Sequence, residues 1–319
     1  MFNFMINLLN IMKNSVSFIN NLKSFIVLAT FFSLWFAVYF ENEIENFIAY
    51  FLILSLGILH GANDIKLIGK ASKSTESKKV FNSRISLNFL RTLIAYLVVI
   101  SLSVALFYFL PAIALILFIL FSAYHFGEQH WASKIKGHHK VNSLTYVWYG
   151  LLILFILFYS NANEVAAVIK NITGIYVDEY SFFIFLVVFL ILFCISIIKA
   201  YIAKKLKTNI FEEFFYIFLF FIVFNTASLL WAFAIYFIFW HSIPSLTDQV
   251  YYLYGNYKKE NFIKYFKSSF IYWILSLIGL SLLYFLFHQQ DRLFLSIFFT
   301  LIASITFPHV WVMSRFNTK

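Results

Sequence analysis

Four of the eight histidines in this chain close long apolar runs: His60 in LGILHGANDIKL, His125 in FSAYHFGEQHW, His241 in IFWHSIPSL and His309 in ITFPHVWVM. Imidazole is a favoured ligand for iron, copper and zinc, and it is the side chain that exchanges protons near neutral pH. A single histidine at a helix end reads as an interfacial side chain or a partner for the last carbonyls. Four at one depth read instead as a shared metal or proton site, because ionisable groups at the edge of an apolar bundle usually face its interior and bind or relay something there. Asp64 lies one helical turn beyond His60, where it could orient an imidazole from behind. Glu128 and His130 extend the end of the His125 run, though five residues separate His130 from His125, too far round for a one-face pair unless the helix opens at Gly127. His138 and His139 fall in a basic loop and read as solvated, while His288 falls on the opposite side of the membrane from His60, His125, His241 and His309.

Other site chemistry is missing from the sequence. It has no GxxxxGK[ST] phosphate loop, GxGxxG turn, HExxH helix or GxSxG elbow. No lysine stands deep inside an apolar run, which argues against a retinal Schiff base on this chain. Cys194, the single cysteine, has no partner for an intrachain disulfide.

The elements that must position the histidines are membrane helices. The 319 residues are 62% hydrophobic and 12% charged, against roughly 45–50% and about 25% for soluble domains. Uninterrupted apolar runs of helix length exclude an outer-membrane barrel, whose strands alternate. At about 20 residues per crossing, the sequence predicts ten, at 24–40, 46–62, 88–109, 111–127, 143–160, 181–203, 212–225, 227–243, 268–287 and 293–312. Two of the divisions fall inside nearly continuous runs. Pro111 suits the first turn of a new helix because its missing N–H is not needed there, and Asn225-Thr226 is the polar pair at which 212–243 can reverse.

Charge fixes the orientation. Cytoplasmic loops carry the excess of Lys and Arg, and ten crossings with both termini cytoplasmic put every one of the 24 basic residues inside except Lys170 and Arg292. A single crossing over 212–243 would move Lys258, Lys259, Lys264 and Lys267 outside. The acidic stretch Glu41, Glu43 and Glu45 falls on the outer side, and His60, His125, His241 and His309 all fall at cytoplasmic ends. The fold expected is therefore all-α, a polytopic membrane bundle forming a single integral domain over 1–319. Residues 1–23 form an interfacial N-terminal segment, with a short helix over 2–12, and 24–312 form the bundle. The net charge of +10 then reports topology and not nucleic acid, and the basic, Ser-rich loop 66–87 reads as a solvated connection.

Taken in order, HGANDIKL, YHFGEQHW, WHSIPSL and PHVWVM resemble the Brp/Blh family of membrane carotene oxygenases, from about residue 57 to about residue 313. The resemblance implies cleavage of β-carotene at its central 15,15′ double bond by O2, giving two all-trans-retinal, at an Fe(2+) held by histidines in the cell (inner) membrane. A retinal-binding rhodopsin is the product acceptor it points to. His60, His125 and His241 match the family's histidine motifs. Some members carry a second His four residues beyond the position of His241, where this chain has Ser245. His309 completes the metal set here because its depth agrees, with His130 as the other candidate.

Central cleavage needs the middle of a long polyene at the iron. A carotene standing along the bilayer normal would put its midpoint roughly 15 Å from either edge of the hydrocarbon core, away from histidines at the cytoplasmic edge. The expectation is an apolar tunnel that bends or runs nearly parallel to the membrane plane, with Phe121, Tyr124, Phe237, Trp240 and Phe307 as candidate walls. Di-iron hydroxylases would need HxxxH and HxxHH boxes, which this sequence lacks. A transporter or proton-conducting protein is the non-enzyme alternative, and it predicts polar residues at several depths and repeated halves.

Overall fold

The computed structural model describes residues 2–73, 87–137, 139–287 and 291–317. His138, His288 and residues 74–86 of the basic loop lie outside the described residues, as does the side chain of His139. Regular structure among the described residues is helical throughout, apart from one isolated bridge between Ile135 and Leu206. Among the described residues, eight helices are long and apolar enough to cross a membrane: Ser17–Tyr39, Asn42–Lys70, Leu90–Phe109, Pro111–Trp131, Asn142–Ser160, Glu179–Ile202, Leu229–Tyr254 and Ser296–Ser314. The other two expected crossings are helical as well. α10 (Ile210–Thr226) has 17 residues, about 26 Å at 1.5 Å per residue and so just under the hydrocarbon thickness, and α13 runs Lys259–Phe287.

The chain divides into two compact units. The first comprises Met1–Asn63 and Thr226–Ile278. Its long N-terminal helix α1 runs unbroken over Phe2–Tyr39. Next comes a helical run of α2 (Asn42–Leu52), a π-turn (π1, Ile53–Gly57) and α3 (Ile58–Gly61). Another run joins α11 (Leu229–Ile235), a second π-turn (π2, Tyr236–Ser242) and α12 (Ile243–Tyr254), with the first part of α13 beside them. The break predicted at Asn225-Thr226 falls where α10 ends, and Ser228 N-caps α11 by accepting from the Trp231 N–H at 3.4 Å. Glu45, 1% exposed, accepts the Ser228 N–H at 2.8 Å. A helix N-terminus in lipid has no water for its orphan N–H groups, and a carboxylate both satisfies one and complements the dipole. Trp231 donates to the Ser33 carbonyl at 3.2 Å, tying α1 to α11.

The second unit comprises Asp64–Asn225 and Gly279–Lys319. It contains α4 (Asp64–Lys73), α5 (Leu87–Phe109), α6 (Pro111–Trp131), α7 (His139–Ser160), α8 (Ala162–Thr173), α9 (Glu179–Ile202), α10 and α14 (Asp291–Asn317). Pro111 begins α6 at its first turn, after a non-helical Leu110. Twelve-residue α8, too short to span, lies in what reads from sequence as an outer loop and packs on α14. α6 and α7 touch backbone to backbone. A Cβ on Gly127 would fall 1.9 Å from the Tyr146 carbonyl oxygen, and one on Gly150 would fall 1.8 Å from that of Ala123. Small residues allow this approach where no hydrophobic force drives helices together. Beyond α6 the Lys136 N–H donates to the Lys205 carbonyl and the Lys207 N–H to the Lys134 carbonyl, each at 2.8 Å. Two of the basic loops are thereby held on one side, as the charge pattern requires.

Candidate metal centre

Within the first unit, π1 and π2 pack on each other and bring two histidines together. A π-turn inserts one residue into the ladder, so its N–H groups reach back five residues. Ile58 N–H bonds to the Ile53 carbonyl and Ile243 N–H to that of Ile238. Each insertion rotates the following side chains by about 100° relative to an unbroken α-helix. His60 follows π1 and His241 lies in π2; their rings meet edge to face at 5.1 Å between centroids with an interplanar angle of 90°. Phe237 stacks on His241 at 5.6 Å and meets His60 edge-on at 5.6 Å. Gly57 makes room for it, since a Cβ there would fall 2.6 Å from the Phe237 ring. Both histidines are buried.

The second unit holds the other pair. His125 on α6 and His309 on α14, both buried, meet edge to face at 5.2 Å and 84°. Asp64 joins this pair. His309 Nδ1 lies 2.9 and 3.0 Å from the two carboxylate oxygens, and Tyr96 on α5 donates its hydroxyl to the same carboxylate at 2.9 Å. The imidazole that Asp64 orients is therefore His309, 245 positions away, and not the sequence neighbour His60. With the Nδ1 proton directed at a carboxylate, Nε2 carries the lone pair that a metal would take, an arrangement common behind metal-bound histidines. Asp64 is 1% exposed, and a carboxylate so buried is stable only with such donors around it.

The remaining candidates separate into three groups. His130 stays on an unbroken α6 and turns to Glu213 of α10 at 2.6 Å, with Lys134 2.7 Å from the other Glu213 oxygen and Tyr149 stacked on the imidazole. That buried ion cluster fastens the ends of α6 and α10. Glu128 accepts from the Tyr124 hydroxyl at 2.9 Å one turn earlier on α6, so these two candidates serve each other. Of the aromatic residues, Phe121 and Phe307 meet edge to face at 5.6 Å in the second unit, and Phe237 touches both histidines of the first. Trp240 instead donates its indole N–H to Thr30 at 2.9 Å, a helix-packing contact. Sequence reading missed Tyr96, Gly57 and the two π-turns. Tyr96 stands in an apolar run with nothing in its spacing to single it out.

Comparison with known proteins agrees with this geometry at the level of family. Neither the curated proteins nor the solved structures returned a match. The profile of the family described as "Beta-carotene 15,15'-dioxygenase" matches residues 51–317, a span that holds all four helix-end histidines together with Asp64 and Tyr96. The chain belongs to that family.

Proposed function

We propose that this protein cleaves β-carotene at the central 15,15′ double bond with O2, giving two all-trans-retinal, at one iron held by His60, His125, His241 and His309. The observation that carries the reading is the pairing of four buried helix-end imidazoles, two in each unit and one of them backed by a carboxylate, in a chain of this family. Each of the four imidazoles is buried inside its own unit, His60 and His241 in the first and His125 and His309 in the second. The donor chemistry suits iron: neutral imidazoles leave Fe(2+) its two charges, and four ligands leave positions open for small molecules. Bound there, iron would supply the activation of O2 that a polyene lacks by itself.

The chain's own residues do the rest. Asp64 holds the proton on His309 Nδ1 and so presents Nε2. Phe237, Phe121 and Phe307 offer apolar walls to a polyene, and burial of the histidines keeps water from the reacting carbons. No side chain need act as acid or base, because adding one oxygen atom to each alkene carbon and breaking the bond between them yields two aldehydes directly. Substrate dissolved in the bilayer reaches a single membrane domain of ten crossings sideways between helices, in the cell membrane with both termini cytoplasmic, and retinal passes to a retinal-binding rhodopsin.

Co-expression in carotene-producing cells tests the reading. Loss of orange colour with appearance of retinal is expected from the wild-type chain and not from His60→Ala, His125→Ala, His241→Ala or His309→Ala, whereas His130→Ala keeps its metal. Unchanged carotene beside folded, membrane-inserted wild-type protein would refute it.

A further inference from the structure

One side chain of α13 reaches both histidine-bearing segments of the first unit. Tyr265 is 1% exposed, and its hydroxyl lies 2.7 Å from Gln249 Oε1 and 3.1 Å from the backbone oxygen of His60. Gln249, fully buried, stands two turns beyond His241 on the same helical run and donates from Nε2 to Ser245 Oγ at 3.2 Å. From the other side Asn63 donates to the Tyr265 backbone oxygen at 3.1 Å, and Ser268 donates to Asn63 Oδ1 at 2.8 Å. His60 and Asn63 bracket the turn that ends α3, where the last carbonyls lose their helical partners. A buried carbonyl there needs a donor, and the phenol supplies it from a rigid ring with only two side-chain torsions.

We propose that Tyr265 is a positioning residue, its hydroxyl joining the backbone at His60 to the helix of His241 and so fixing the perpendicular ring pair. This rests on the reading that the two histidines bind metal. A hydroxyl that only braced the fold would be one brace among several. Asn261, one turn earlier on α13, donates to Asn256 Oδ1 at 2.8 Å and is such a brace. Tyr265 differs in that its one proton bears on both histidine segments at once. Ser245, buried one turn past His241, contributes to the same chain through Gln249 instead of offering a ligand of its own.

Co(2+) binding to purified apoprotein separates the two roles, because its visible d–d spectrum reports ligand geometry without any turnover. Tyr265→Phe should weaken Co(2+) binding about tenfold or more, the range for residues behind metal ligands, and alter the band positions. Asn261→Ala, which loses the bond to Asn256 Oδ1 and touches neither histidine segment, should lower thermal stability and leave both readings alone. Wild-type affinity and spectrum in Tyr265→Phe would overturn the proposal. If that variant does not fold, Gln249→Met loosens the same joint from the His241 side, and an unchanged spectrum there overturns it equally. Failure of the underlying reading looks different: His60→Ala and His241→Ala would then bind Co(2+) as the wild type does.

Discussion

Replacing Gly127 or Gly150 by alanine should loosen α6 from α7 and, through His125, empty the metal centre. At each glycine the new methyl meets backbone, at 1.9 Å from the Tyr146 oxygen and 1.8 Å from the Ala123 oxygen, and a carbonyl cannot rotate aside as a side-chain tip can. Reaching an ordinary carbon–oxygen contact of about 3.3 Å needs the helices to part by about 1.4 Å. Overpacking in a well-filled core costs about 1–3 kcal/mol and occasionally more, and a backbone obstacle places both changes at or above the top of that range. His125 lies two residues from Gly127 and two from Ala123, so the same displacement carries it away from His309. Thermal melting in detergent and iron per chain are the measurements. A fall of several degrees with most of the iron lost is expected for either variant. Gly279→Ala is the control: a Cβ there has nothing within 4 Å, and alanine in a helix gains about 0.5–1 kcal/mol over glycine. A Gly150→Ala protein that melts with the wild type and keeps its iron would refute the reasoning.

Three further outcomes follow from the same geometry. Asp64→Asn should weaken metal binding about 10- to 100-fold by removing the acceptor for the His309 Nδ1 proton, with Tyr96→Phe falling in the same direction by less; equal affinity in Asp64→Asn, read by metal titration, would count against the orientation role. Glu45→Ala should cost about 1–3 kcal/mol by leaving the Ser228 N–H buried without its acceptor, lowering the melting temperature while metal content holds in the protein that remains folded. Phe237→Trp or Phe307→Trp should move cleavage off the central bond or block it with iron intact, as chromatography of the aldehyde products would show. Both rings are proposed substrate walls, and an unchanged product from both variants would argue for another path.

Much of the architecture is legible from the sequence for physical reasons. Pro111 cannot continue a helix but can start one, and Asn225-Thr226 is the polar break at which a long apolar run divides into two helices. Lys and Arg report the side of each loop, and four histidines at helix ends need no tertiary information to be noticed. The partners of those histidines are another matter. Asp64 lies four residues from His60 and 245 from His309, so a local reading assigns it to the neighbour while folding assigns it to the distant residue. Glu45 reads as one more charge in an acidic outer stretch, yet it is 1% exposed and caps α11. Gly127 and Gly150 look like any glycine in an apolar helix until the facing backbone is in place. Helix α8 has a sound amphipathic pattern but too few residues to count as a crossing, and a ruler based on membrane thickness passes over it.

Three of the four candidate ligands stand at irregular places in the helices. His60 follows the π-turn Ile53–Gly57, His241 lies in the π-turn Tyr236–Ser242, and His309 follows Pro308, which removes a hydrogen bond from the interior of α14. In lipid each disturbed backbone bond costs more than it would in water, since no solvent can replace the lost partner. Regular helices would therefore be the default for a chain this apolar. A regular helix, however, offers side chains only at 100° steps along a fixed axis, so turning His60 and His241 toward each other takes a rotation beyond those steps. One inserted residue supplies the missing rotation. The insertion leaves no mark in composition or in 3.6-residue periodicity, because the flanking residues stay uniformly apolar. Only Pro308 is visible in the sequence, whereas the paired π-turns of the first unit are not.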